Sequence, residues 1–117
     1  MSFAAKRVNL NTITMKKNVF YEGIEFALPV YDTTAVSVMH YLERVVTRLQ
    51  EGLDLRSGSF RLSLNVTFLP GAHPRHTIIS NGRTPKAPIA RLLSEPIAGN
   101  YDHVTGSVTV HLLVKDR

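Results

Sequence analysis

Residues 55–94 carry Arg56, Arg61, Arg75, Arg83, Lys86 and Arg91 and not one carboxylate. Basic side chains in such a row are suited to holding phosphate. A guanidinium presents a planar fork of donors that grips phosphate oxygens in pairs and stacks on bases, which an ammonium does less well. Arginine outnumbers lysine nine to five in this chain, so the bias leans to nucleic acid rather than to generic solubility. The acids are gathered elsewhere. Residues 22–54 hold six of them against Arg44 and Arg48 and sum to −4, while residues 1–21 hold Lys6, Arg7, Lys16 and Lys17 and sum to +4. The plain alternative is that the basic residues are solvated charges that keep the protein apart from its neighbours.

Other chemistries find less support. The chain has no cysteine, so it has no disulfide framework, thiolate metal site or cysteine nucleophile. Neither G-x-G-x-x-G nor G-x-x-x-x-G-K-[ST] occurs. His73-x-x-His76 brings two imidazoles near each other, but residues 55–94 supply no third ligand, and Asp102-His103 would have to come from a distant segment. Ser57-Gly58-Ser59 reads as a turn rather than a nucleophile elbow. Glu22 and Glu25 fall on opposite faces of an alternating strand, a poor general acid/base pair. The expectation is a protein without catalytic residues, metal or cofactor.

These residues need elements to hold them. Residues 7–15 read as a strand of modest quality, and Lys16-Lys17-Asn18 as a turn into a second strand at 19–30. There Phe20, Ile24, Phe26, Leu28 and Val30 share one parity and Tyr21 points to the other face. Asp32 suits an N-cap, and Ala35, Val38, Met39, Leu42, Val45, Val46 and Leu49 then follow at helical spacing. That helix ends near Gly52, which fits a left-handed C′ position. Phe60, Leu62, Leu64, Val66 and Phe68 alternate with Arg61, Ser63, Asn65 and Thr67, the cleanest strand of the chain. After a Pro/Gly-rich stretch come a short strand at 76–80, an Asn81-Gly82 turn of the type I′ kind, and a short helix with Pro88 at its first position. A last strand at 106–115 turns Val108, Val110, Leu112 and Val114 inward.

The expected fold is therefore a single α+β domain over residues 1–117, two layers deep, with an antiparallel sheet under one main amphipathic helix. The order is β-β-α-β-β-α-β, and without its first strand it matches the ferredoxin-like split fold. The paired aromatics of an RNA-recognition sheet are missing from the short strand at 76–80, so that reading is set aside. No stretch approaches the 18 or so apolar residues of a membrane span, and residues 1–30 lack the pattern of a signal peptide. A cytoplasmic or virion location is expected.

Three functions follow in order. The first is a non-enzymatic protein that holds RNA or DNA by its phosphate backbone, with the profile of a small viral or phage coat, packaging or single-strand-binding protein. Its footprint would be Arg61, Asn65 and Thr67 on the open sheet face with Arg75, Arg83 and Lys86 on the adjoining loop. The second is a self-assembling structural subunit, a homo-oligomer joined through the open sheet face or by strand pairing, with the strand at 106–115 or the N-terminal hairpin as the expected surface. The third is a small enzyme using residues 70–88 as a lid.

Overall fold

The computed structural model describes residues 17–27, 32–53, 58–80 and 82–116. The expected strand at 7–15, together with Arg56, Ser57 and Asn81, lies outside them, as does the side chain of the expected cap Asp32. The elements run β1 (Lys17–Ala27), α1 (Asp32–Gly52), β2 (Phe60–Phe68), β3 (Arg75–Ile78), α2 (Lys86–Leu92) and β4 (Gly106–Asp116). Among the described residues the strands form one antiparallel sheet in the order β1-β4-β2-β3. This is the expected α+β architecture. The ferredoxin-like split fold shares the order of elements along the chain, but here the last and the second strands occupy the middle of the sheet.

The long apolar stripe explains α1. Val38, Leu42, Val45, Val46 and Leu49 are buried, and so is Tyr41, which widens the stripe by one position. They pack with Phe60, Leu62, Leu64, Val66 and Phe68 of β2 and Val108, Val110, Leu112 and Val114 of β4 in one core. Ile89 and Leu93 bring α2 and its C-terminal turn to the same core, so both helices cover one face and the other face stays open. α2 begins two residues before Pro88, which still sits in the first turn where its missing N–H costs nothing.

Gly52 does not take a left-handed backbone. What it provides is closeness: a Cβ there would come 2.4 Å from Leu92 Cδ2, so the end of α1 can lie against α2.

β1 departs most from expectation. Its register against β4 slips between Tyr21 and Gly23, which leaves Glu22 as the extra residue of a β-bulge. One extra residue exchanges the two faces. Val19 and Tyr21 before the bulge, and Ile24 and Phe26 after it, therefore lie opposite the inward residues Val114, Leu112, Val110 and Val108. Phe20 stands on the open face opposite Leu113 and is half exposed. The expected assignment of Phe20 to the core and Tyr21 to the open face is thus reversed. Lys17 is in the strand rather than a turn. It is fully buried, with its ammonium on Asp116 and on the Gly58 carbonyl at 3.1 Å.

Candidate functional site

The open sheet face carries a network of polar side chains bonded to one another. Arg61 Nε donates to Glu22 Oε1 at 3.1 Å. Asn65 Nδ2 donates to Thr109 Oγ1, and Thr67 Oγ1 to Asn65 Oδ1, both at 3.0 Å. His111 bridges three strands, with Nδ1 2.8 Å from Ser63 Oγ and Nε2 3.0 Å from Glu25 Oε2. The bulge makes this possible: it carries Glu22 to the same face as Glu25, where simple alternation puts them on opposite faces. Ser63, His111 and Glu25 include the residue types of a nucleophile–base–acid line. Here Ser63 lies in mid-strand, and the line ties β2, β4 and β1 together side by side.

Three of the six expected binding residues, Arg61, Asn65 and Thr67, thus belong to this network with two carboxylates beside them. The other three lie along the β3–turn–α2 edge, with Arg75 on the open face opposite Thr67. Arg75 starts β3, Arg83 stands exposed in the turn after it, and Lys86 opens α2. Arg91, exposed in the last turn of α2, continues the row. Among the described residues none of these four forms an ion pair. Thr84 fixes the turn between them, its hydroxyl donating to the Arg61 carbonyl at 2.8 Å.

β3 and α2 enclose a groove of about 750 Å³ whose lining includes Arg75, His76, Ile78, Lys86, Ala90 and Leu93. Its lining carries no carboxylate, and its floor is largely apolar. His76 joins the groove to the core. Its Nε2 lies 2.7 Å from the hydroxyl of the buried Tyr41, and the two rings stack at 12°. Burial lowers the pKa of His76, with the Arg48 charge acting in the same direction and the Leu93 backbone opposing them. Burial raises that of Tyr41. The tyrosine therefore stays protonated, and because the one N–H of the neutral imidazole goes to the Leu93 backbone, the hydroxyl donates to Nε2.

The ring nitrogen of His76 that faces the core is engaged by that bond. Among the described residues no three His, Asp or Glu gather as metal ligands. His103 turns to Ser37, 2.8 Å away.

Arg44 and Arg48 have a different task. Arg48 donates to the carbonyls of Leu92, Glu95 and Pro96, and Arg44 to that of Ala98, so both brace the chain that leaves α2. A sequence shows the charge of these arginines but not the carbonyls that folding brings to them. Tyr41 and His76 were likewise missed as a pair, although Tyr41 sits three residues after Val38 on the buried stripe. Among the described residues no helix is long and apolar enough to cross a membrane. No family model, curated protein or solved structure matches the chain.

Proposed function

We propose that this protein is a non-enzymatic binder of nucleic acid that contacts the phosphate backbone along the β3–turn–α2 edge. The observation that carries the reading is the row Arg75, Arg83, Lys86 and Arg91, exposed and without an ion pair among the described residues. It lies within forty consecutive residues that hold no acid. Cations left unneutralised at one edge focus a positive potential there, and releasing the counterions of phosphate supplies affinity that does not depend on sequence. Arg61, Asn65 and Thr67 contribute less, because Arg61 has a carboxylate partner in Glu22 and the Asn65 and Thr67 side chains are bonded within the sheet.

The test is filter binding of single- and double-stranded RNA and DNA oligonucleotides across a salt series. Arg83→Ala and Lys86→Ala should each weaken binding about equally for all sequences and lower the salt slope by about 1. Lys115→Ala, at the other end of the sheet, should leave both quantities unchanged. Absence of binding at low salt, or equal losses from all three changes, overturns the reading.

A further inference from the structure

The sheet presents two outer edges among its described residues, β1 and β3, and the free backbone groups of one fit those of the other. The Ile79 N–H donates to the Ser63 carbonyl at 2.8 Å, which fixes the alternation of the β2–β3 ladder. The peptide groups of His76 and Ile78 therefore point away from β2, along the groove beside α2. Carried through the registers of β2 with β4 and of β4 with β1, the same alternation leaves the peptide groups of Ile24 and Phe26 pointing outward from β1. The side chains of Ile24 and Phe26 lie on the helix side, opposite Val110 and Val108, and those of His76 and Ile78 lie there too, opposite Val66 and Leu64. Phe26 is 40% exposed. The groove beside β3 has an apolar floor of Ile78, Ala87, Ala90 and Leu93. On the open face the charges are opposite, with Glu25 on β1 and Arg75 on β3.

We propose that β1 of one copy pairs antiparallel with β3 of the next. Phe26 then lies opposite His76 and Ile24 opposite Ile78 of the neighbouring copy. In that register every outward peptide group of the four residues finds a partner. Phe26 and Ile24 fill the groove under the neighbour's α2, and Glu25 lies diagonal to its Arg75, within reach of a long side chain. The contact joins unlike surfaces, so it does not close on a pair and instead continues the sheet from copy to copy. A ladder over a strand of four residues is smaller than a standard interface, so the assembly depends strongly on concentration. The proposal shares Arg75 with the phosphate-binding reading but does not rest on it, since Arg83, Lys86 and Arg91 stay outside the ladder and the test is made without nucleic acid.

Sedimentation of the full chain over a concentration series, free of nucleic acid, tests it. The wild type should grow beyond a dimer as concentration rises. Glu25→Arg and Arg75→Glu should each raise the half-assembly concentration by about tenfold or more, since each sets like charges against one another. Mixing the two variants should restore assembly, because each then offers the charge the other lacks. Phe26→Asp, at a half-exposed position, should abolish growth while circular dichroism stays native. A wild type that remains monomeric throughout, or variants that fail to rescue each other, overturns the proposal. So does protection of the Ile24 and Phe26 amides from hydrogen exchange in dilute monomer, which would mean that this chain's own residues cover the edge.

Discussion

The Tyr41–His76 contact is where a single side chain decides most, because it links α1, β3 and the floor of the groove. Tyr41 is fully buried and touches Phe68 and Tyr101 edge-on as well as stacking on His76. Its hydroxyl is the donor to His76 Nε2, so Tyr41→Phe should leave a largely desolvated acceptor unmet and cost roughly 1–3 kcal/mol. Urea unfolding at pH 8 measures that loss. The same bond predicts a pH dependence. Burial holds the His76 pKa below its ordinary 6.5, so the unfolded chain takes up this proton first as pH falls. The stabilisation is complete above about 6.5 and is lost as pH drops through the lower folded-state value. His76→Gln keeps an acceptor for Tyr41 but cannot titrate. The fall in urea midpoint from pH 8 to pH 5 should therefore be smaller in this variant than in the wild type.

Among the elements, α1 supplies the largest single block of core, and Leu42 is at its centre. Leu42→Ala should cost roughly 2–5 kcal/mol, out of a total of about 5–15 for a domain of ordinary stability. Thermal or urea unfolding gives the value directly. This helix was legible because its stripe repeats at 3.6 residues, and β2 and β4 were legible because their apolar residues alternate without a break. β1 was not, because a bulge at Glu22 inserts one residue and period-two counting across residues 19–30 passes over it. The pairing of Arg61 was hidden for the same reason. The bulge turns Glu22 toward Arg61 and gives that arginine a carboxylate partner, which no spacing rule in residues 55–94 can reveal. The row Arg75, Arg83 and Lys86 was legible as charge. Its meeting with an apolar groove was not, since that depends on α2 lying along β3.

At the scale of the whole molecule the decisive fact is that β4 is the middle of the sheet. Its clean run of inward valines and leucine, with one lysine near its end and no proline, reads as an unprotected edge. A central strand has the same features, because it needs apolar side chains inward and an N–H at every position for its two ladders. β4 pairs with β1 along one side and β2 along the other, so residues 106–115 have no free edge for a second copy, and the expectation of pairing through them is corrected. The consequence for folding is direct. The β1–β4 ladder and the Lys17–Asp116 contact join segments 99 residues apart at their extremes. Such pairing must overcome loop-closure entropy before burial rewards it. Refolding after dilution from urea should therefore relax on the millisecond-to-second scale rather than in microseconds. A chain ending at residue 105 keeps α1 and the β2–β3 pair but loses the strand that joins β1 to β2. It also strips Val108, Val110, Leu112 and Val114 from the core. That chain should show no cooperative melting and no dispersed amide spectrum. Removal of an edge strand, by contrast, would leave a destabilised but cooperative fold.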